Sequence, residues 1–313
     1  MLIRLKNFFR PTFGKVAVLT LVLGLAVGAA LAYGLFRLVE REFPDVAILN
    51  KKYPQVIYRG PKQPPLVKLV GAPPPGWTKI GEISKAAMGA VVVSEDWAFF
   101  SHDGVDANQL KEAIKEDLAD RHYSRGASTI TMQVVKNVFL SQEKTLYRKA
   151  KEFVLAIRLD SHVSKRRVLE CYFNIAEWGE GVFGIRAAAQ KYFGKAPSEL
   201  TPKEGAFLAM LLPSPKRYSQ SFRNGLLTPY AEKTTRSILE KMTQAHYITE
   251  EERDAEIEKR LSFETKAVAP SENPLVPSEN SLSEENAGDE EAPAEDGGET
   301  ESPRELDLSE SGG

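Results

Sequence analysis

The 313-residue chain has one cysteine, Cys171, so neither an internal disulfide framework nor a multi-cysteine zinc site is open to it. Its four histidines, at 102, 122, 162 and 246, form no His-Glu-x-x-His pair, which removes the zinc chemistry that needs two ligands one helical turn apart. A mean hydropathy of -0.30 excludes a polytopic membrane protein. No internal repeat is visible, and sustained strand alternation is missing between residues 82 and 261. No acid occurs before Glu40.

Charge is present but unevenly placed. The net charge of -2 hides a tail, residues 267–313, in which fourteen acids face Arg304 alone, leaving +11 on the rest of the chain. A basic body calls for an anionic partner: nucleic acid, lipid headgroups or a phosphorylated substrate.

Residues 1–15 are basic, with Arg4, Lys6, Arg10 and Lys15. They precede Val16 to Phe36, a charge-free run of 21 residues long enough to cross a hydrocarbon core. The positive-inside rule puts the N-terminus in the cytoplasm and the remainder across the membrane. A cleaved signal peptide is the rival reading, because Ala30-Leu31-Ala32 resembles a cleavage site, but the apolar run continues past it. Residues 37–82 hold eight of the 19 prolines and read as a stalk or approach segment. Residues 83–262 read as one mainly α domain. Ile83, Ala86, Ala87, Ala90 and Val91 mark one helix, and Leu146, Ala150, Phe153, Val154 and Ile157 a second. Ser164, Thr201 with Glu204, Thr228 before Pro229, and Thr249 with Glu252 are helix-start signals. The tail from 263 to 313 is acidic and poor in large apolar residues, the composition of a disordered segment.

Four constellations carry potential chemistry. Glu95-Asp96 stands before Trp97, Phe99 and Phe100 and a His102-x-Gly104-x-Asp106 turn. A carboxyl desolvated by aromatics rises toward the general acid/base range, although an exposed acid pair at a helix end has the same sequence. Gly126-Ala127-Ser128-Thr129 leads into a helix carrying Gln133 and Lys136, which suits either anion binding or simple capping. Lys144, Arg148 and Glu152 recur every four residues with Lys149 beside them, a diphosphate-holding face or a solvated ion pair. Asn174 to Ile185 interleaves three glycines with acids and aromatics, a shaped loop.

Taken together and in order, these segments resemble the glycosyltransferases that polymerise peptidoglycan strands from lipid II. Glu95-Asp96-x-x-Phe99-x-x-His102-x-Gly104-x-Asp106 is similar to that family's first motif, and Gly126 through Gln133 with Lys136-Asn137 to its second. Arg148-Lys149-x-x-Glu152, Lys165 through Asn174, and Leu200 through Ala209 are similar to the third, fourth and fifth. The loop Asn174-Ile-Ala-Glu-Trp-Gly179 resembles the monofunctional, membrane-anchored branch, and no Lys-Thr-Gly follows Ser141-x-x-Lys144 as a transpeptidase would require. The resemblance implies a single-pass anchor plus a helical, partly lysozyme-like domain at the inner membrane, with its catalytic part periplasmic.

It also implies roles. Glu95 matches the base that deprotonates the acceptor sugar's 4-hydroxyl, and Glu152 the second carboxylate, near the leaving diphosphate. Lys136, Lys144, Arg148 and Lys149 match diphosphate-holding cations. Ser128, Thr129 and Gln133 match the donor side, and Asp96 and His102 are placed among the substrate-binding residues. The implied partners are lipid II, the growing glycan strand, the membrane and division or elongation proteins, with no nucleic acid. No tightly bound cofactor is implied; a Mg2+ ion would be shared with the substrate diphosphate. Trp97, Ala127 and Met132 depart from the family pattern, and Trp97 and Met132 are expected to alter donor-site polarity. A lytic glycan-cleaving enzyme and a membrane-anchored scaffold are the rival functions. The first does not need the cations at 136–149, and the second does not need Glu95.

Overall fold

A computed structural model describes residues 6–112, 128–141, 143 and 145–265. Lys144, residues 125–127 and the tail from 266 onward therefore lie outside the described residues. The chain divides between Val46 and Ala47 into two compact units.

The first unit is dominated by one helix, α1 (Lys6–Arg41). Within it, Val16–Gly34 is long and apolar enough, by length and composition, to cross a membrane, and none of that stretch is buried within the protein. In that stretch, Thr20 Oγ1 donates back to the carbonyls of Val16 and Ala17 at 3.0 and 2.9 Å, so that side chain carries no unmet donor into an apolar surrounding.

The second unit is mainly α, with one small sheet. It begins with a 3-10 turn, Val46–Asn50, and an antiparallel hairpin of β1 (Tyr53–Ile57) and β2 (Leu66–Val70), Tyr53 opposite Val70 and Ile57 opposite Leu66. Residues 47–82, expected to be a stalk, are thus part of a folded unit. The reason lies more than a hundred residues downstream, in Arg167. Its Nε donates to the Leu49 carbonyl at 2.9 Å, its Nη2 to that of Lys52 at 3.0 Å, and its guanidinium lies 4.4 Å from the Tyr53 ring centroid and 5.3 Å from that of Trp77. Glu170 accepts from Trp77 Nε1 and from the Ile80 amide, both at 3.0 Å. Asn174 brackets Thr78, accepting from its N–H and donating to its carbonyl at 2.8 Å each. Leu49 and Thr78 are fully buried as a result.

Two helix groups follow. The first centres on α2 (Lys85–Glu95), whose residues Ala87 to Val93 are buried all round, as expected for a helix enclosed by others. It packs on α7 (Pro202–Leu211) and α10 (Pro229–Gln244). The α2–α7 approach is set by Gly205, where an added Cβ would stand 2.7 Å from the Ala87 Cα. The second group is α3 (Ile130–Phe139), packed on α4 (Leu146–His162) and α5 (Lys165–Ile175). Between the groups in sequence lies α6 (Ile185–Phe193). Two short turns, α8 (Pro215–Tyr218) and α9 (Gln220–Asn224), follow α7, and α11 (Glu250–Glu258) closes the described chain against α7 and α10.

The caps read from the sequence are in place. Ser164, Thr201, Thr228 and Thr249 each accept from the backbone N–H three residues on, and Glu204 and Glu252 complete reciprocal boxes. Each such cap contributes about 1 kcal/mol. The apolar repeat on α4 marks the helix but not its inner face: Leu146 is 88% and Ile157 51% exposed, while Glu152, Leu155, Ala156 and Leu159 are buried.

Candidate active site

Glu95 is the last residue of α2, and its position follows from the burial of Ala87 to Val93 earlier in that helix. The half-buried carboxylate meets side chains from two other helices. Gln133 of α3 donates Nε2 to Glu95 Oε2 at 2.7 Å, and the Tyr172 hydroxyl of α5 lies 3.5 Å from the same oxygen and 3.3 Å from Gln133 Oε1. Burial raises the Glu95 carboxyl above the ordinary range. The bonds from Gln133 and Tyr172 pull it down, adjacent Asp96 pushes it up and Lys136 pulls it down, and the balance stays raised. Tyr172 is held well above its usual value by burial and by Glu95, so it stays a donor.

Glu152 is the counterpart on α4. Only 2% exposed, it accepts from Arg148 Nη1 at 3.0 Å and Lys149 Nζ at 2.7 Å. Lys149 also donates to Ser128 Oγ at 3.1 Å, tying α4 to the residues preceding α3. Lys136, one turn beyond Gln133 on α3, is exposed as a residue and makes no hydrogen bond or ion pair among the described residues. Desolvation around its amine lowers its pKa, Arg148 and Lys149 lower it further, and Glu152 and Glu95 both oppose this. The Lys136 ammonium therefore stands in the field of both carboxylates. Such an arrangement can take a proton at Glu95 and hold a multiply charged anion at Lys136, Arg148 and Lys149.

Glu95, Gln133, Lys136, Ser128, Arg148, Lys149 and Glu152 are linked in this way, and Lys144 lies outside the described residues. Three expected substrate ligands are turned elsewhere. Asp96, with no exposed side-chain surface, accepts from the Ile130 N–H at 2.9 Å and contacts His102 Nε2 at 2.9 Å, so its oxygens are used in holding the α3 N-terminus. His102 is itself only 8% exposed in its side chain. Thr129 is the N-cap of α3, accepting from the Met132 N–H at 3.1 Å and donating to the Gly104 carbonyl at 2.7 Å. Met132 is fully buried, so its departure from the family pattern falls in the core rather than in donor-site polarity.

Residues without an assigned role in the sequence reading complete the frame. Lys165 Nζ donates to the His102 carbonyl at 2.6 Å, pairs with Asp160 at 2.7 Å and lies 4.7 Å from the Phe99 ring centroid. Gly104, at a φ of +83°, crosses α4 where a Cβ would stand 2.4 Å from the Ala156 carbonyl oxygen. Tyr172 was visible as a tyrosine within the fourth motif, but only the structure brings it to Glu95. Burial pushes the Cys171 thiol up to about 12, which removes it as a nucleophile. Among the described residues, no three His, Cys, Asp or Glu side chains group as metal ligands.

The family model described as transglycosylase matches residues 68–243. The chain is 44% identical over 142 residues to a biosynthetic peptidoglycan transglycosylase of Nitrosomonas eutropha, covering 45% of this chain and 58% of that protein. Against the protein of the same name from Brucella suis it is 47% identical over 139 residues, covering 44% and 62%. Against that of Nitrosospira multiformis it is 39% identical over 169 residues, covering 54% and 72%. The chain thus spans under two thirds of the length of the first two relatives.

Proposed function

The chain belongs to the transglycosylase family, and on that premise we propose that it polymerises lipid II into β-1,4-linked glycan strands, releasing undecaprenyl diphosphate. The observation that carries this reading is the half-buried Glu95 carboxyl, raised by burial and facing Lys136, an amine that in turn feels Arg148, Lys149 and Glu152. A lytic enzyme acting on a neutral leaving sugar has no use for Lys136, Arg148 and Lys149.

In the proposed step, Glu95 accepts the proton of the acceptor sugar's 4-hydroxyl as that oxygen attacks the anomeric carbon of the donor. The bond from that carbon to the diphosphate oxygen breaks, the electron pair leaves with the diphosphate, and the configuration inverts. Negative charge on the departing group grows in the transition state, and Lys136, with Arg148 and Lys149, offsets it there. Glu152 keeps Arg148 and Lys149 in place for that task. A magnesium ion, were the reaction to use one, would be shared with the substrate diphosphate and would supply charge compensation to the leaving group there.

The proposed topology is a cytoplasmic N-terminus, one inner-membrane span within α1 and a periplasmic domain. Its support is the apolar stretch Val16–Gly34 after a basic segment. The proposed partners are lipid II, the growing strand, the membrane and proteins of division or elongation, without nucleic acid. The test is lipid II polymerisation in detergent by the full chain and its Glu95→Gln variant. Polymer from the first and none from the folded second supports the reading; equal polymer from both removes Glu95 as the base.

A further inference from the structure

We infer that Tyr172 is a positioning residue, whose hydroxyl fixes the Gln133 amide so that this amide holds one oxygen of Glu95 and leaves the other to the acceptor hydroxyl. The inference rests on the proposed role of Glu95 as base. Three helices converge to build the arrangement: α2 ends at Glu95, α3 brings Gln133 and α5 brings Tyr172.

Tyr172 is 1% exposed, and a phenol O–H at such a site needs an acceptor. The described acceptors are Gln133 Oε1 at 3.3 Å and Glu95 Oε2 at 3.5 Å. The single proton favours the nearer one, because the Gln133 Nε2 bond at 2.7 Å already serves the carboxylate. Turning the amide over would set Oε1 against a carboxylate and Nε2 against a donor, two losses at once. Tyrosine on one side and glutamate on the other therefore fix the orientation of Gln133 together.

The consequence is an asymmetric carboxylate. Oε2 is occupied, whereas no donor among the described residues meets Oε1. The other charged groups facing Glu95 are fixed or distant in role. Asp96, next on the chain, is bound to His102 and the Ile130 N–H, and Lys136 is the cation one turn past Gln133. Gln133 favours the ionised carboxylate directly, and Tyr172 does so by orienting that amide and by placing its hydroxyl dipole near Oε2, so the two limit the upward pull of burial. Without them, the base would be protonated over more of the working pH range.

The test uses the full chain in detergent and two readouts. One is the pH titration of the Glu95 carboxyl band by difference infrared spectroscopy, assigned by its loss in Glu95→Gln. The other is the pH profile of polymerisation. Tyr172→Phe keeps the ring and removes the hydroxyl; it should move both the titration and the acidic limb to higher pH by roughly half a unit to one unit, with KM little changed. Gln133→Met should move them further in the same direction. A Tyr172→Phe protein with lower activity at every pH and an unmoved titration would make the tyrosine a core residue only and overturn the inference. Should Tyr172→Phe fail to fold, an unmoved titration in Gln133→Met overturns it equally. The infrared titration needs no substrate, so the two readings separate. A moved titration in a protein whose wild type makes no polymer sinks the base assignment and leaves the hydrogen-bonded hold on Glu95 standing.

Discussion

Glu95 and Glu152 are the same side chain in two opposite settings. Glu152 lies between two cations on its own helix, Arg148 and Lys149, with both oxygens engaged. Glu95 meets neutral donors from two other helices through one oxygen, and burial leaves its carboxyl raised. The first setting stores a charge and orders its partners. The second prepares a group to change charge. The difference teaches that sequence spacing alone is a poor guide to role: Arg148 and Glu152, four apart, make the pairing that helical geometry supplies to any such sequence. The site becomes specific only where α3 and α5 cross the end of α2.

The comparison is broken most severely by removing the proton acceptor. Glu95→Gln should bring polymerisation below detection, a loss of at least about 10²- to 10⁴-fold, while the thermal midpoint stays near that of the wild type, measured by glycan product formation and thermal unfolding. Next comes the cation on which both carboxylates act. Lys136→Met removes that ammonium and should cost about 10²-fold in kcat, the scale of a lost transition-state donor, with Glu95 still titrating by infrared. Replacing Glu152 by Gln sharpens the contrast, because its expected effect falls on stability as well as rate. Arg148 and Lys149 lose their ionic acceptor, and denaturant unfolding should report a loss of about 1.5–3 kcal/mol, reduced by the partial exposure of both cations.

The pH profile follows from the directions of the two shifts. Rate should fall as pH drops through the raised Glu95 value, because protonation removes the base. It should fall again as pH rises through the lowered Lys136 value, because loss of the ammonium removes charge compensation. A bell narrower than reference glutamate and lysine values would give is therefore expected from kcat/KM between pH 4 and 11, roughly the range those values bracket. The smallest effect belongs to Ser128→Ala. It removes one partially exposed bond to Lys149 and should change kcat/KM only a few-fold, about 1 kcal/mol or less.

Much of this architecture was legible in the sequence because its causes are local. Thr201-Pro202-Lys203-Glu204 fixes a helix start with four residues, and the boundaries at Ser164, Thr228 and Thr249 follow in the same way. The helical period of α4 was equally readable, but the inward face was not. Glu152 is buried because Arg148 and Lys149 accompany it, an arrangement that hydrophobic periodicity scores as exposed. The hairpin at 53–70 was missed for a related reason. Its anchor is Arg167, and a cation meeting two aromatic rings and two carbonyls across that separation leaves no periodic signal.

The candidate site divides along the same line. Glu95, Lys136, Arg148 and Lys149 were singled out by motif order and interact in the candidate site, whereas Asp96, Thr129 and His102 share the motifs but serve the frame. In Asp96 the chemistry that suits a substrate ligand, two anionic oxygens beside a histidine, equally suits a helix N-terminus. Only burial separates the two uses. Tyr172 shows the converse: a residue with no obvious task in the sequence reaches the Glu95 carboxylate.

The measurement that tests the central claim most directly is binding and turnover of lipid II by the same Glu95→Gln protein. If Glu95 is the base and the cationic set holds the diphosphate, the folded variant binds lipid II with near wild-type affinity and makes no polymer. Polymer at the wild-type rate would contradict the account.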